Sequence, residues 1–362
     1  MKRLSLIASL GIWMLTATIA LATPASLFVG TPIARATFGG AINTGQIAGR
    51  QSVIQQLMIA PGGHTGWHTH PGGTVILVQA GTLNIYNDTC AKTVTEANRG
   101  TVEAGGHVQL ARNEGTLPLL LTVVYFDVPV GGGVRSDAAT PACAVGADAN
   151  TLPEGAAGSG ITFNVPSGIV QRATFAAAST ITSGAERDVL VQQVTIGPGG
   201  HSGWHSHPGA SVVYLESGAL SIYGANCVKQ SYTAGQGFVE PGDHLTLARN
   251  EGAAPVVLRV VFFNVPVAGS ARIDQPEPST CRGLVAGLAA TAAPTAAQPA
   301  TAAQPATAAR PATAAPRGLP NTSADTSGPA GPGPAIVAIL VALASLAGLA
   351  MIGRSRQRSR IG

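Results

Sequence analysis

The chain has 362 residues, of which 10% are charged, and its formal net charge is +4. This length predicts two domains, because single domains usually hold about 100–200 residues. Seven of the 21 basic residues fall in the first 35 or the last nine positions, which leaves 14 basic residues against 17 acidic ones between them. The basic excess therefore belongs to the termini, and it gives no reason to expect a nucleic-acid partner.

Residues 1–22 predict a secretory signal peptide. Lys2 and Arg3 precede an almost uninterrupted apolar run that ends at Ala22, and this charged-then-apolar order is typical of an export signal. Small residues suited to cleavage end at Ala22 and at Ala36. We expect the earlier site, because the later one would remove the first residues of the repeat described next. The alternative is an uncleaved membrane anchor. The export signal predicts an extracytoplasmic location at the cell surface.

The region after the signal peptide consists of two copies of one sequence. Residues 35–130 align without a gap with residues 172–267, a shift of 137 positions. This repeat predicts two domains of one fold, which we place at residues 27–147 (copy one) and 161–283 (copy two). Their apolar residues alternate or run in short blocks bounded by Gly and Pro, as strands do. We expect an all-β fold, either a closed barrel or a two-sheet jelly roll. A sandwich without a pocket is the alternative.

The chain contains four cysteines, and the export prediction places all of them in an oxidising compartment. They are Cys90, Cys143, Cys227 and Cys281. Four cysteines allow three pairings, but each copy holds two cysteines at separations of 53 and 54 residues. We therefore predict Cys90–Cys143 and Cys227–Cys281, each adding roughly 4 kcal/mol of stability in the chain-entropy description.

All eight histidines fall into two matched sets, within PGGHTGWHTHPGG and GGHVQLARNEG in copy one and PGGHSGWHSHPGA and PGDHLTLARNEG in copy two. Residues two apart on a strand point to the same side, so His68 with His70, and His205 with His207, can hold one ion. His107 and His244 follow 37 residues later and are the predicted third ligands. Imidazole suits a divalent Fe, Zn, Mn, Ni or Cu ion, so the metal is left open.

Six further residues are candidates for the pocket or the ligand sphere. His64 and His201 share the strand parity of the pairs, as a fourth ligand or an acid/base group. Glu103 and Glu240 offer carboxylates four residues before the third histidine, although a solvated strand end is the simpler interpretation. Gln109 and Thr246 complete this group of candidates.

These motifs resemble the two motifs of the cupin superfamily, and residues 37–270 are similar to a bicupin, a tandem pair of cupin domains. The matching residues in copy one are Gly63, His68, His70, Gly81, Gly105, His107 and Asn113. In copy two they are Gly200, His205, His207, Gly218, Pro241, Gly242, His244 and Asn250. The resemblance implies jelly-roll cupin barrels around a metal. Thr74 and Ser211 stand where many cupins place a glutamate ligand, so it implies three-histidine sites, as in some iron-dependent cupin dioxygenases.

Two functions follow from this resemblance. The first is a metal-dependent, oxygenase-type oxidoreductase acting on a small molecule. The second is a non-enzymatic module that binds a small ligand or a metal outside the cell, because cupins that only bind ligands also lack the glutamate. An apolar pocket wall would favour a dioxygenase or plain binding, whereas a buried Glu or Arg would favour decarboxylation or sugar-type chemistry. If only one copy is active, we expect it to be copy two.

The C-terminal part of the chain predicts an attachment to the cell surface. Residues 284–318 are rich in Ala, Thr and Pro and are expected to form a disordered linker. Residues 319–334 follow, beginning with Leu319-Pro320-Asn321-Thr322-Ser323, which resembles the LPxTG signal of sortases except that Ser323 replaces Gly. Residues 335–353 carry no charge and predict one transmembrane helix, and residues 354–362 form a basic cytoplasmic tail. Sortase processing and permanent membrane retention are the two alternatives.

Overall fold

A computed structural model of the protein describes residues 22–145, 158–163 and 170–285, all of which belong to one compact unit. These residues form β-strands and one 3₁₀-helix, Ser279–Cys281, which confirms the all-β prediction. No helix in these ranges is long and apolar enough to cross a membrane. The signal peptide up to residue 21, the linker beyond residue 285, the sorting-like segment, the transmembrane helix and the basic tail lie outside the described residues and stay predictions.

Copy one contributes eleven strands. They are β1 (Ser26–Phe38), β2 (Ile42–Ile47), β3 (Arg50–His64), β4 (His68–Thr69), β5 (Thr74–Ala80), β6 (Thr82–Asn87), β7 (Lys92–Glu96), β8 (Arg99–Glu103), β9 (Gln109–Arg112), β10 (Leu119–Val128) and β11 (Ser136–Asp137). Copy two contributes twelve in its described part. They are β12 (Ser159–Phe163), β13 (Val170–Phe175), β14 (Ser179–Ser183), β15 (Arg187–His201), β16 (His205–Ser206), β17 (Ser211–Ser217), β18 (Ala219–Gly224), β19 (Lys229–Thr233), β20 (Gln236–Glu240), β21 (Thr246–Arg249), β22 (Val256–Val265) and β23 (Ile273–Asp274).

Each copy is built from two antiparallel arrays of strands. In copy one, β3–β10–β5–β8 form one array and β7–β6–β9–β4–β11 form the other. Copy two repeats this order as β15–β22–β17–β20 and β19–β18–β21–β16–β23. The end of β3 reaches β9 through His64 opposite Arg112, and β15 reaches β21 through His201 opposite Arg249. The long strand β3 or β15 therefore joins the two arrays of its copy, as in a jelly roll.

Alternation along the strands separates two kinds of core. In β10, Leu121, Val123 and Tyr125 face the interior of copy one, where they pack against residues of the second array. The intervening Val124 and Phe126 belong to a different cluster, which lies between the two copies and includes Phe263 of copy two. Because each large apolar side chain contributes about 1.5–3 kcal/mol when fully buried, the two copies are stabilised by each other.

Strands β1 and β13, which occupy matched positions in the two copies, are exchanged between them. β1 runs antiparallel to β15 of copy two, with Ala36 opposite Val189, and β13 runs antiparallel to β3 of copy one. The side chain of Arg35 binds Asp188 at 2.6 Å on one side, and Arg172 binds the Gln51 side-chain oxygen at 2.6 Å on the other. The repeat did not show this exchange. Each copy therefore needs a segment whose sequence belongs to the other.

The two predicted disulfides are both present, Cys90–Cys143 and Cys227–Cys281. Each lies beside a fully buried tryptophan, Trp67 in copy one and Trp204 in copy two. These small clusters lie apart from the interior cores of the copies. The tryptophans therefore help to hold the disulfide loops.

Candidate metal centre

The predicted histidine pairs meet inside their copies. His68 and His70 are buried on the short strand β4 and beside it, and their Nε2 atoms lie 3.2 Å apart. His205 and His207 are also buried, and the ring centroids of the pair are 4.8 Å apart in both copies. A left-handed turn at Gly66 (φ +72°) precedes the pair in copy one and brings the chain back toward the interior. The same-side placement expected from strand parity is thus observed.

Backbone carbonyls hold the other nitrogen of every ring in these pairs. His68 Nδ1 lies 2.8 Å from the Gly66 oxygen and His70 Nδ1 lies 2.7 Å from the Val134 oxygen. In copy two the distances are 2.9 Å from His205 to Gly203 and 2.7 Å from His207 to Ala271. Because a carbonyl oxygen only accepts hydrogen bonds, Nδ1 carries the proton in each ring. The four Nε2 atoms are therefore left as electron-pair donors, a state in which histidines bind metals.

The surroundings keep the first histidine of each pair neutral. Burial, followed by the neighbouring His70, lowers the pKa of His68 to about 4. Burial and His207 lower the pKa of His205 in the same way, also to about 4. Both rings therefore have a free Nε2 electron pair at neutral pH.

A buried carboxylate completes each group. Glu103 Oε2 lies 3.4 Å from His70 Nε2, and Glu240 Oε2 lies 3.4 Å from His207 Nε2. Burial raises the pKa of Glu240, but its contact with His207 and a positive charge on the histidines lower that pKa by more, so the net shift is downward. In copy two an ionised carboxylate therefore lies beside the imidazole nitrogen of His207.

Three electron-pair donors at these distances repel one another unless a cation lies among them, either a proton or a metal ion. Ligands bound tetrahedrally to zinc at about 2.0–2.1 Å are separated by roughly 3.3–3.4 Å, close to the 3.2 Å and 3.4 Å found in copy one. As the side chains stand, no three or more His, Cys, Asp or Glu residues in the described part of the chain are arranged to hold an ion. The residues fit a metal ion in their donor chemistry and in these two distances, both of which are measured from His70 Nε2.

Unpaired polar atoms surround the two groups. Thr74 and Ser211 are fully buried, and the hydroxyl oxygen of each is without a hydrogen-bond partner. They stand opposite Glu103 and Glu240 in the strand pairing. Gln109, opposite His68, has a buried side-chain nitrogen without a partner. A bound ligand or water would supply what these atoms lack.

The structure does not bring the predicted third histidines to these groups. His107 and His244 are exposed on the turns that precede β9 and β21. The turns touch the site through their backbones instead, because Gly106 N donates to His70 O and Asp243 N donates to His207 O, both at 2.8 Å. Both turn residues have a positive φ. The tight turn presents its amide to the pair and leaves the imidazole in solvent.

His64 and His201 also stand apart from the pairs. Each accepts a hydrogen bond at Nδ1 from the glycine two residues later, at 3.1 Å. Burial and a neighbouring arginine lower the pKa of both rings. They support the turn that leads to β4 or β16. Of the remaining candidates, Thr246 is buried opposite His205.

Copy two contains a cavity of about 310 Å³ beside its histidines. His205, His207 and Glu240 line it together with apolar side chains of both arrays, and Phe28 from the exchanged strand β1 closes part of the wall. Phe262 packs 5.0 Å from the His207 ring, where copy one has Tyr125 at 5.2 Å from His70. Strand alternation could have indicated these wall residues, but not the contribution of Phe28.

No protein-family model matches the chain, and no curated protein matches it. Among solved structures, AerE from Microcystis aeruginosa is 15% identical over 58% of this chain and 86% of its own, with a TM-score of 0.25. Oxalate decarboxylase from Bacillus subtilis at pH 4.6 is 12% identical over 70% of this chain and 79% of its own, with a TM-score of 0.32. A Cupin 2 conserved barrel domain protein from Salinispora arenicola CNS-205 is 16% identical over 21% of this chain and 63% of its own, with a TM-score of 0.20. Likenesses with these TM-scores carry no argument about family or activity.

Proposed function

We propose that this chain is an extracytoplasmic, cupin-type metal-binding protein in which each copy binds one divalent transition metal ion and presents it to a small molecule. The ligands in copy one are His68, His70 and Glu103. Those in copy two are His205, His207 and Glu240. Histidine and carboxylate together accept Fe, Zn, Mn, Ni or Cu.

The observation that carries this proposal is the meeting of Nε2 of His70 with Nε2 of His68 at 3.2 Å and with the Glu103 carboxylate at 3.4 Å. Both ring Nδ1 atoms already donate to backbone carbonyls. No proton donor of the three residues therefore points at the shared space unless one ring is charged or the carboxyl group is protonated. Burial opposes that charge, since the pKa of His68 is lowered to about 4.

The donor set favours an oxygenase-type oxidoreductase. Two histidines and one carboxylate with open coordination positions form the ligand set of many non-haem iron oxygenases. A bound ion would supply Lewis acidity and redox chemistry. The chain's own contribution is to fix the imidazoles through Val134 and Ala271 and to exclude water with an apolar wall around the centre of copy two.

Non-enzymatic binding of a small ligand is the second candidate. The lining of the copy-two cavity favours this second candidate. Its acid/base side chains are Glu240, His205 and His207. All three are proposed metal ligands, which leaves none in the lining to transfer a proton in a reaction. An apolar wall favours a dioxygenase or plain binding. The buried Glu240 and the partly exposed Arg272 line the same cavity, and charges of this kind favour decarboxylation or sugar-type chemistry. Oxygen uptake by the iron-loaded protein in the presence of a bound ligand separates the two candidates.

Export and surface attachment belong to this proposal. The apolar segment after Lys2 and Arg3 and the arginine-flanked segment 335–353 support it, as do two disulfides of the kind that persist in oxidising compartments. A reporter fused after Gly362 should stay in the cytoplasm while the two copies are cleaved by protease added outside. A protease-resistant body with an accessible reporter would refute this topology.

The metal content of the purified full-length protein tests the proposal. After exposure to Fe, Zn or Mn salts and removal of excess ion, elemental analysis should find two metal equivalents per chain. The double variant His205→Ala/His207→Ala should retain one equivalent, and the matched double variant His68→Ala/His70→Ala should also retain one. Wild-type protein without stoichiometric metal would overturn the proposal.

A further inference from the structure

We infer that the cavity of copy two binds a small monocarboxylate with an apolar body, whose carboxylate lies between Arg272 and the His205–His207–Glu240 centre. The inference deepens the proposed function, since one of the two partners of the carboxylate is the bound metal.

The size of the cavity limits the ligand. A volume of about 310 Å³ corresponds to about ten groups of water size at 30 Å³ each, so the ligand has about ten non-hydrogen atoms. The walls are mostly apolar, with Phe28, Phe238 and Phe262 among them. Such walls favour an aliphatic or aromatic body and leave hydroxyl groups without partners.

Arg272 provides a hydrogen-bond donor that an entirely apolar ligand would leave without a partner. Its side chain lines the cavity. Two of its nitrogens already donate hydrogen bonds, Nε to Asp274 at 2.5 Å and Nη2 to the Ser202 backbone oxygen at 2.6 Å. Its third nitrogen, Nη1, is buried and has no hydrogen-bond partner. A buried guanidinium nitrogen without a partner is costly, and a carboxylate oxygen is a strong acceptor for it.

The arginine is tied to the metal centre by short connections. Ala271, its neighbour in the chain, accepts the hydrogen bond of His207 Nδ1. Ser202, whose backbone Arg272 binds, lies 3.3 Å from His205 Nδ1 through its hydroxyl. Arg272 is therefore linked to each histidine of the pair through one intervening residue, Ala271 or Ser202.

The charges of the assembled site favour an anion. Glu240 cancels one of the two charges of a divalent ion, so the centre keeps one positive charge. Arg272 is paired with Asp274, so this pair adds no net charge to that of the centre. Arg35, the other cation in the lining, is already paired with Asp188. One carboxylate balances the remaining charge at the centre, and a second one on the same molecule would have to lie against the apolar wall.

Calorimetric titration of the purified full-length protein with 3-phenylpropionate, and with the neutral 3-phenylpropan-1-ol as its control, tests this inference. The carboxylate should bind with one equivalent per chain and about tenfold or more tighter than the alcohol. Arg272→Met should lose about that factor, and Arg272→Lys should recover part of it. Arg135→Met, the matched change in copy one, should leave the affinity unchanged. The comparison of the two ligands on wild-type protein keeps the test decisive if a variant fails to fold.

Equal affinity for acid and alcohol, or an equal loss in Arg135→Met, would overturn the inference. Titrations of metal-loaded and chelator-treated protein separate its failure from that of the proposed function. Two metal equivalents with no preference for the carboxylate would leave the metal centres standing and remove the inference. Carboxylate binding that depends on Arg272 in a protein that takes up no metal would remove the metal centres and keep the arginine site.

Discussion

Copy one and copy two hold the same histidine–glutamate group in different interiors. The His–Glu contact is 3.4 Å in both copies, and the carbonyls that hold the rings come from matched positions. The wall differs, because Tyr125 and Thr101 of copy one correspond to Phe262 and Phe238 of copy two. The proposed centres therefore share their backbone features, whereas the wall residues that would contact a ligand differ between the copies.

Substitutions on the exchanged strands should have the largest effect, and they test whether the two copies unfold as one cooperative unit. Phe38 and Phe175 are matched residues on the exchanged strands, and both are fully buried in the cluster between the copies. Replacing either by alanine should cost about 3–5 kcal/mol and should shift one common thermal transition of the full-length protein. Scanning calorimetry would show it. A variant that melts one copy and leaves the other in place would contradict a shared core.

Removing each disulfide in turn compares how much the outer loops of the two copies contribute to stability. Cys90→Ser/Cys143→Ser and Cys227→Ser/Cys281→Ser should each cost about 2–5 kcal/mol, with similar values because the loops have nearly equal lengths. Urea denaturation at equilibrium measures both costs. Peptide mapping under non-reducing conditions is the control, and a Cys143–Cys227 link would refute the pairing.

Sequence analysis identified the all-β copies, the disulfide pairs and the buried histidine pairs, because each follows from spacing within one copy. It missed the strand exchange, since strand parity indicates which face of β1 is apolar but not which sheet β1 joins. It assigned the third ligand to His107 and His244 on motif spacing, although the tight turn at Gly106 turns His107 toward solvent. It named Glu103 as a possible carboxylate ligand but preferred a solvated strand end, whereas the side chain is buried. The strand register that places Glu103 opposite Thr74 cannot be read from the sequence.

A charged contact on one side of the exchange has a neutral counterpart on the other. Asp188 binds Arg35 and Thr37, whereas the matching Gln51 binds Arg172. Burial raises the pKa of Asp188, but the hydrogen bonds from Thr37, the Ala268 amide and Arg35 lower it further, to a net decrease. The stability that Asp188 contributes is therefore complete above the unfolded pKa of about 3.9 and is lost as the pH falls through the lower folded value.

Asp188→Asn should accordingly cost about 1–3 kcal/mol at neutral pH and less at pH values below the folded pKa of Asp188. Hydrogen exchange of the β1 and β13 amides across this pH range follows both sides of the exchange in one sample. We expect acid to release β1 from β15 before β13 leaves β3. Equal acid sensitivity of the two strands in wild-type protein would contradict the assignment to Asp188.

The smallest expected effect on stability comes from exchanging the aromatic residues beside His70 and His207, which are Tyr125 and Phe262. Tyr125→Phe gives copy one the residue of copy two and should cost less than about 1.5 kcal/mol, because the volume is nearly conserved. Its metal content should stay at the wild-type value, since the phenol is not among the proposed ligands. Loss of one metal equivalent in Tyr125→Phe, with Phe262→Tyr unchanged as the control, would make the phenol a ligand and the two centres unlike.

Metal content in two matched double variants tests the central claim most directly. Glu103→Gln/Glu240→Gln keeps the size of each side chain and removes the charge that the proposed centres need, whereas His107→Ala/His244→Ala removes two exposed rings. Elemental analysis and competitive titration against a chelator should show that the glutamine variant loses most of its metal affinity while the alanine variant keeps two equivalents per chain. Retained metal in the glutamine variant, together with loss in the alanine variant, would contradict the account and restore the three-histidine ligand set.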